Sequence, residues 1–419
     1  MGKSGLRIEN KRSTGNRCEP PEHGKGSRTD KKPEIENRQE MEKNTMSNLK
    51  TPFRYDYVGS FLRPQALKDA KAAYQAGKIS KEELDKVINE EITKLVAKQK
   101  ELGFHVITDG EFRRTFWHLD FMWGLEGVAH EATGNGVAFH NELAVLDDTY
   151  LVGKIKAKAH PFVEYFKFLK QFEDENTVAK YTIPAPAQTF QQMIVPANYA
   201  STRKFYATNE ELIQDIGAAY QEVIRQFYDA GCRNLQLDDC TWGAIVGDAA
   251  KQRYKVMGVD LEEVKGQLLA VNNLALEGKP DDMVITSHIC RGNYHSTYFT
   301  SGAYDTVADY VFARENVDAL LLEYDDERSG GFAPLAKVSD DKKVVLGLIT
   351  TKTPELEDKK KVIARIREAA EYVPLDRLCL SPQCGFASCE IGNKLTEEEQ
   401  WAKLKLVKEI AEEVWGNRK

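Results

Sequence analysis

From residue 53 onward the sequence repeats one pattern, in which a short apolar run is followed by a longer stretch with helical periodicity. Eight such runs lie at residues 53–60, 105–111, 181–184, 234–239, 284–292, 319–323, 343–350 and 377–385. Strands that alternate with helices form parallel sheets, because each helix carries the chain back to the same edge. Eight units over about 365 residues predict an α/β protein with a (β/α)₈ TIM barrel. A doubly wound open sheet is the alternative arrangement.

The longest stretch outside this pattern, residues 112–179, separates the second and third predicted strands. We expect a long insertion that is irregular except for an amphipathic helix at residues 160–172. A segment of this length is usually functional or disordered, and its aromatic residues favour function. The side chains in which we look for contacts with a second substrate are Trp117, Trp123, Lys154 and Lys156.

Residues 1–50 differ from the rest of the chain in composition. They contain twelve Lys and Arg, eight Asp and Glu, and almost no apolar residues. Such a segment cannot bury enough apolar surface to offset the entropy of ordering. The sequence therefore predicts a disordered basic tail at residues 1–50 and a single catalytic barrel at residues 51–419.

The overall composition narrows the class of function. A formal net charge of -7 gives no reason to expect binding to nucleic acid or to an anionic membrane. No apolar run reaches the roughly 20 residues that span a membrane. The seven cysteines are an odd number without the spacing of a disulfide scaffold, so we expect reduced thiols in a cytoplasmic protein. Chemistry on a small molecule is the favoured class.

Polar side chains lie at the C-terminal end of nearly every predicted strand. In a (β/α)₈ barrel these ends converge on the rim that carries the active site, which favours the barrel over the open sheet. The residues concerned are Ser60, Asp109, Glu111, Asp238, His288, Cys290, Glu323, Thr350 and Cys384.

A metal site is predicted around His288 and Cys290. Side chains alternate across a strand, so these two residues leave the fifth strand on the same side. Imidazole and thiolate suit zinc, which takes about four ligands. Glu323 from the sixth strand and Cys384 from the eighth would complete a set of two sulfurs, one nitrogen and one oxygen.

Other cysteines compete for these roles. Cys379 lies in the middle of a strand, where core packing is expected, and Cys389 lies beyond the turn and is a weaker candidate. Cys232 and Cys240 flank the fourth strand without a paired histidine, and we expect both to pack in the core. A single buried cysteine is more often a small hydrophobe than a ligand, so the prediction depends on several donors converging.

These motifs together resemble the catalytic barrel of cobalamin-independent methionine synthase, in order, over nearly all of residues 52–415. The stretches that carry the resemblance are Gly59-Ser60, Asp109-Gly110-Glu111, Leu235-Gln-Leu-Asp238, His288-x-Cys290, Leu322-Glu323 and Ser381-Pro-Gln-Cys384-Gly385. The resemblance implies a zinc-dependent transfer of a methyl group to the thiol of homocysteine, which forms methionine. It also implies zinc at His288, Cys290, Glu323 and Cys384.

The resemblance further implies how homocysteine is held. Glu111 and Asp238 would bind its amino group, and the Gly59-Ser60 backbone would receive its carboxylate. Without the metal residues, helix capping or salt bridges at the barrel rim would be the better interpretation of the two acidic residues.

The sequence departs from the family pattern on the side of the methyl donor. The longer family members have two barrels, whereas this chain has room for one. Thr350 stands where the family has a proton-donating His, and the stretch after Pro186 lacks the family's Trp. An acid is needed when the leaving group is a poorly stabilised nitrogen anion. The donor therefore stays open between methyltetrahydrofolate, a methyl-corrinoid and a sulfonium compound.

Two other functions fit the same residues. Zinc would activate any small thiol that fits, so alkyl transfer involving another thiol is one alternative. A non-catalytic thiol-binding barrel with a structural zinc is the other, because four protein ligands resemble a closed site.

Overall fold

The alternation of strands and helices is present in the computed structural model, which describes residues 49–416. The predicted tail at residues 1–50 lies almost entirely outside the described residues. In chain order, the N-terminal half contains α1 Gln65–Gln75, α2 Lys81–Glu101, β1 Val106–Ile107, α3 Leu119–Met122, β2 Glu126–Glu131, β3 Gly136–Ala138, β4 Leu143–Val145, β5 Asp148–Lys156, α4 Pro161–Lys170, β6 Val178–Ala179, β7 Tyr181–Pro184, α5 Pro186–Ile194, α6 Pro196–Thr202 and α7 Asn209–Asp229.

The C-terminal half continues the same alternation. Its elements are β8 Asn234–Asp238, α8 Cys240–Ala244, α9 Gly247–Met257, α10 Leu261–Leu276, β9 Val284–Ile289, α11 Ala308–Arg314, β10 Ala319–Glu323, β11 Lys343–Ile349, α12 Lys359–Ala369, β12 Leu378–Pro382 and α13 Glu397–Trp415, with short 3₁₀ turns at Tyr304–Thr306, Glu327–Ser329, Ala333–Lys337 and Leu375–Arg377.

Six parallel strands, β7 to β12, form the largest sheet, and each pairs with the next one along the chain. Nearly all of their residues are buried on both faces, as expected of a parallel sheet covered by helices. These six strands match the third to eighth predicted strands within a few residues. The mixed α/β class is therefore confirmed.

The first predicted strand is only partly present. Residues 53–60 make two isolated parallel bridges, Tyr55 with Leu380 of β12 and Ser60 with Gly110 after β1, and the second predicted strand shortens to β1, which pairs with β6. Within residues 49–416 the assigned pairings thus give a six-stranded and a two-stranded parallel sheet rather than one closed eight-stranded ladder.

The segment at residues 112–179 contains more regular structure than its sequence predicts. β2 and β5 form an antiparallel ribbon, β3 and β4 form a hairpin, and α4 lies within the predicted helix at residues 160–172. The expectation of an otherwise irregular segment is therefore wrong. These strands could not be predicted from the sequence, because β2, β3 and β4 are mostly exposed or half-buried and lack a clear apolar alternation.

Helices pack on the sheet through amphipathic faces and are well capped. α7 buries a continuous apolar face that packs against α10, and capping boxes begin α2 at Ser80 and α13 at Thr396. Within residues 49–416, none of the helices combines the length and the apolar composition that a membrane span requires.

A buried ion pair joins residues 53–60 to the turn before β7. Lys180 Nζ lies 2.8 Å from Asp56 Oδ1, and both side chains are 1% exposed. The same carboxylate oxygen accepts the Tyr57 N–H at 2.7 Å, and Lys180 also donates to the Tyr57 carbonyl. The pair therefore fixes the N-terminal segment against the sheet at a place where the strand ladder is interrupted.

Removing one partner of this pair should destabilise the fold strongly. Asp56→Asn leaves the Lys180 ammonium buried without its counter-charge, so we expect the free energy of unfolding to fall by about 3–5 kcal/mol. The matched control is Asp85→Asn, which breaks an exposed i,i+4 pair with Lys81 on α2 and should cost at most about 0.5 kcal/mol. Urea unfolding followed by circular dichroism measures both, and equal losses would contradict the assignment.

Candidate metal centre

Three soft donors converge at the C-terminal edge of the parallel sheet. His288 is the penultimate residue of β9, Cys290 follows His288 by two residues, and Cys384 follows β12. One donor atom from each of the three lies within 4.8 Å of those of the other two. All three side chains are buried. The structure therefore brings these three residues together, and their role as metal ligands stays a prediction.

The imidazole of His288 has the environment of a metal ligand. Both ring nitrogens are buried, neither makes a hydrogen bond of good geometry among the described residues, and the Cys290 thiol interacts with the ring. An unpaired polar group in the interior is costly, and nearly all such groups are satisfied in native proteins. Coordination would satisfy one of the nitrogens. A set of two sulfurs and one nitrogen fits zinc better than it fits Mg²⁺ or Ca²⁺.

Glu323 lies beside this group but outside it. It ends β10 and is completely buried. Its Oε2 accepts a hydrogen bond from the backbone N–H of Arg291 at 2.7 Å. Its Oε1 accepts from the guanidinium of Arg328 at 3.0 Å and lies 3.7 Å from Lys352 Nζ. Each carboxylate oxygen thus already has a protein partner, so metal binding by Glu323 would require one of them to be exchanged.

Cys240 also lies beside the donor group. It is the first residue of α8, it is half-buried, and its Sγ lies 3.3 Å from the Sγ of Cys290. The expectation that Cys240 packs in the core is therefore wrong, because it lines the same cavity as Cys290 and Cys384. Cys232 and Cys379 do lie in the core, as expected.

Two buried carboxylates face the same cavity. Asp238 ends β8 and accepts from Gln236 Nε2 at 2.8 Å, and burial raises the pKa of its carboxyl to about 7, against the opposing charge of His288. Glu111 accepts the Thr182 hydroxyl at 3.0 Å, and burial also raises its pKa although Arg114 opposes the shift. A cationic ligand would restore the negative charge of both groups.

The turn at Glu111 is held in a backbone conformation that non-glycine residues rarely adopt. Its φ is 62°, and its N–H donates to Asp109 Oδ1 at 2.9 Å. Such conformations persist where the surrounding structure enforces them, often at ligand sites. The turn aims the Glu111 side chain into the cavity instead of along the strand.

Gly59 and Ser60 lie beside this turn, because Ser60 forms a parallel bridge with Gly110. Gly59 has a φ of 135°, and a Cβ there would meet the Thr182 side chain at 3.1 Å, so the position requires glycine. The Thr108 hydroxyl donates to the Gly59 carbonyl at 2.8 Å. Ser60 lines the cavity together with Glu111 and Asp238.

One cavity of about 1030 Å³ is lined by Ser60, Glu111, Asp238, Cys240, His288, Cys290 and Cys384. Gly59, Asp109 and Glu323 are not among its lining residues. Thr350, at the family's proton-donor position, is outside the lining, and its N–H donates to Glu357 at 2.8 Å. In the segment predicted to contact a second substrate, Trp117 lines the cavity, whereas Trp123 stacks on His130 and Lys154 lies over Tyr206. Lys156 lies opposite Glu126 in the register of the β2–β5 ribbon.

His118 is a further polar group in this cavity that its sequence position does not reveal. Its ring is buried and stacks on Trp117, and its Nδ1 has no hydrogen-bond partner within the described chain. Burial lowers the pKa of His118 to about 3, so the ring is neutral at physiological pH. It can donate or accept one hydrogen bond toward a ligand, but it is a weak general acid.

The fold and the site together define a mixed α/β protein with a buried sulfur and nitrogen donor group beside two carboxylates. Residues 55–413 match the model of the cobalamin-independent synthase catalytic domain. The chain belongs to this family, which confirms the resemblance noted in the sequence.

Individual relatives agree with this assignment. The uncharacterized protein YxjH of Bacillus subtilis is 45% identical over 372 residues, which cover 88% of this chain and 97% of YxjH. Methionine synthase of Saccharolobus solfataricus is 24% identical over 333 residues, which cover 78% of this chain and 86% of that protein. A Listeria monocytogenes protein, proposed to be a vitamin-B12 independent methionine synthase, has a crystal structure that matches with a TM-score of 0.69 at 42% identity, covering 88% of this chain and all of its own.

Metal analysis tests the donor group directly. We expect the purified full-length protein to bind one zinc per chain, and Cys384→Ser to weaken the affinity at least tenfold, because one of three soft ligands is replaced by a poor one. Cys379→Ser is the matched control, since Cys379 is a buried thiol on β12 that is not part of the group. Competition with a chromogenic chelator measures both, and equal affinities for the two variants would refute the site.

Proposed function

We propose that this protein is a zinc-dependent methyltransferase that moves a methyl group to the thiol of homocysteine and forms methionine. The observation that supports this most is that the donor group of His288, Cys290 and Cys384 opens onto the same cavity as two buried carboxylates. A soft metal site suits a thiol, and paired carboxylates suit an ammonium group. An amino acid with a thiol side chain presents both.

The residues of the chain would bind and orient the amino-acid substrate. Glu111 and Asp238 would hold its ammonium group through charge-assisted hydrogen bonds, and the Gly59-Ser60 backbone would receive its carboxylate. Fixing both groups leaves the side-chain sulfur directed toward the metal residues. Such positioning replaces a bimolecular encounter with a local one.

Zinc in this site would lower the pKa of the substrate thiol, which is about 8.5 when free, and so supply a thiolate at neutral pH. His288, Cys290 and Cys384 would hold the ion and leave one position of a tetrahedral site for the substrate. The resemblance assigns Glu323 as a fourth protein ligand, and that prediction requires Glu323 to exchange Arg291 or Arg328 for the metal. During transfer, the bond from the methyl carbon to the donor breaks as the carbon–sulfur bond forms.

We also propose that the parallel strands close into the (β/α)₈ barrel, with residues 51–419 as one catalytic domain and residues 1–50 as a separate tail. The bridges of Tyr55 and Ser60 connect β12 to the end of β1, and β6 leads directly into β7. The metal donors give independent support. β9 and β12 are three strands apart, about 14 Å in a flat sheet, yet donor atoms at their ends lie within 4.8 Å.

The methyl donor remains open between methyltetrahydrofolate, a methyl-corrinoid and a sulfonium compound. The cavity is far larger than homocysteine requires, and Trp117 and His118 also line it. Thr350 lies outside the lining, and His118, whose pKa burial lowers to about 3, is not protonated at neutral pH and so has no imidazolium proton to give to a leaving amine. This favours a donor whose leaving group needs no proton.

The geometry of the site supports the proposed function over its two alternatives. Three clustered soft ligands with a large adjoining cavity are typical of a catalytic zinc rather than of a closed structural one. The pair of carboxylates favours an amino-acid thiol over a simple thiol.

Substrate recognition can be tested at Asp238. Asp238→Asn removes a charge from the ammonium site, so we expect the KM for homocysteine to rise about 10–100-fold, the equivalent of about 1.5–3 kcal/mol for a hydrogen bond to a charged group. The zinc content should stay unchanged. Asp248→Asn is the control, because this carboxylate is on the surface of α9. An unaltered KM for Asp238→Asn would exclude homocysteine as bound here.

The reaction itself is tested by incubating zinc-loaded protein and homocysteine with each donor class in turn. We expect methionine from at least one of methyltetrahydrofolate, in mono- and polyglutamate forms, methylcobalamin and an S-methyl sulfonium compound. Mass spectrometry of the amino-acid fraction detects the product. Methionine from none of them would contradict the proposed activity.

A further inference from the structure

Both neighbours of Cys384 are fixed by hydrogen bonds from other loops at the same edge of the sheet. Gln383 Oε1 accepts from the Thr351 N–H at 3.0 Å and from the Thr351 hydroxyl at 2.7 Å. The Gly385 carbonyl accepts from Asn293 Nδ2 at 2.8 Å. The loop that carries Cys384 is therefore tied both to the loop after β11 and to the loop after β9.

Asn393 closes these contacts into a ring. Its Nδ2 donates to Asn293 Oδ1 at 3.0 Å and to the Thr351 carbonyl at 2.7 Å, and its backbone N–H donates to the Phe386 carbonyl at 2.9 Å. One residue thus links all three loops. The amide ring, as we name it, consists of Asn293, Thr351, Gln383, Gly385 and Asn393.

The polar side chains of the amide ring are almost completely buried. Asn293 is 5% exposed, Asn393 6%, Gln383 1% and Thr351 0%. Within residues 49–416, Gln383 Nε2 is the only side-chain polar atom of the ring without a hydrogen-bond partner. Buried amides are costly unless they are paired, whereas a paired network fixes one arrangement of its members. The ring therefore points to a need for a fixed spacing between the loops that it joins.

One side chain of the ring spans the two cysteine loops. Asn293 follows Cys290 by three residues, and the carbonyl to which it donates belongs to Gly385, the residue after Cys384. The strands before these two cysteines, β9 and β12, are not neighbours in the sheet. The separation of the two sulfurs therefore depends on contacts between the loops, and Asn293 supplies one within three residues of each cysteine.

Ser60 restrains the same loop. Gly385 packs so closely on Ser60 that a Cβ there would lie 1.9 Å from Ser60 Oγ, so the position requires glycine. The Phe386 N–H donates to the Ser60 carbonyl at 2.9 Å. The Cys384 loop is thus fixed by the substrate-binding loop as well as by the amide ring.

We infer that Asn293 is a positioning residue of the metal centre, which sets the separation of the Cys290 and Cys384 sulfurs, and that Asn393 orients it. This inference rests on the proposed function. Asn293 lines the cavity, but its amide is engaged by Gly385, Ser388 and Asn393. It therefore acts through the loops and not by touching a ligand. Groups that orient metal ligands in this way account for about 10–100-fold in metal affinity.

The zinc affinity of the full-length protein, measured by competition with a chromogenic chelator, tests the inference. We expect Asn293→Ala and Asn393→Ala each to raise the Kd for zinc about 10–100-fold, because the Cys384 loop loses the contact that sets its position. The double variant should lose little more than either single variant, since the two amides act as one unit.

Asn198→Ala is the matched control. Asn198 is also a buried amide whose Nδ2 donates to two backbone carbonyls, those of Thr149 at 2.7 Å and Gln192 at 2.8 Å, but it belongs neither to the ring nor to the donor group. Its loss should lower the stability to urea in the same way as the loss of Asn293 and leave the Kd for zinc unchanged. A purely structural role for Asn293 would give the same result for both variants.

Thr351→Val tests the ring with little change in volume and decides the question if the asparagine variants do not fold. It removes the hydroxyl that donates to Gln383, so we expect the Kd for zinc to rise about 2–10-fold, the equivalent of one hydrogen bond between neutral groups. A Kd for Asn293→Ala equal to that of Asn198→Ala would overturn the inference. So would a wild-type Kd in Thr351→Val when the asparagine variants cannot be obtained.

The proposed function fails in a different way. If Asn293→Ala loses zinc affinity as expected but the wild-type protein forms no methionine with any donor, the proposed reaction is refuted and the role of Asn293 stands. If the wild-type protein binds zinc and forms methionine while Asn293→Ala keeps the wild-type Kd, only the role of Asn293 is refuted. A wild-type protein that binds no zinc would overturn both.

Discussion

The donor group depends on the curvature of the parallel sheet. β9 carries His288 and leads into Cys290, β12 leads into Cys384, and β10 and β11 lie between them. In a flat sheet the ends of β9 and β12 would be too far apart for their side chains to bind the same metal ion. Parallel strands twist, and the twist accumulates from strand to strand, so strand ends that are distant in sheet order can turn toward a common axis.

The same geometry explains why so much of the site could be predicted from the sequence. Residues at the C-terminal ends of parallel strands share one edge whatever their separation along the chain, so locating the strands was enough to group His288, Cys290 and Cys384. The strands from 181 to 382 have buried runs of apolar and β-branched residues and were readily located. Glu111 and Asp238 followed from the same rule, as both line the cavity.

What the sequence did not reveal has identifiable physical causes. Residues 53–60 hold their place through an ion pair and two bridges, and such tertiary contacts leave no periodic pattern. The ribbons within residues 112–179 are short and largely exposed, so their alternation is weak. Cys240 follows its strand by two residues, on a helix whose close approach depends on Gly243, and that packing is set by contacts distant in sequence. The partners of Glu323 are likewise tertiary: Lys352 comes from the segment after β11, and Arg328 from a 3₁₀ turn.

The balance of buried charge differs between the surroundings of Glu323 and those of Glu111 and Asp238. Around Glu323 the anions and cations balance, so that carboxylate is already neutralised by the protein. Around Glu111 and Asp238 the balance is less complete. Arg114 lies 3.3 Å from Glu111 Oε1, but Glu111 Oε2 is buried without a hydrogen-bond partner among the described residues, and Asp238 accepts from the uncharged amide of Gln236. A positively charged ligand is therefore drawn to the Glu111 and Asp238 side and has nothing to gain beside Glu323. Under the proposed function, the site would separate two tasks, with ammonium recognition on β8 and on the turn after β1, and thiol chemistry on β9 and beyond β12. The cavity between them would then set which amino acid can reach both.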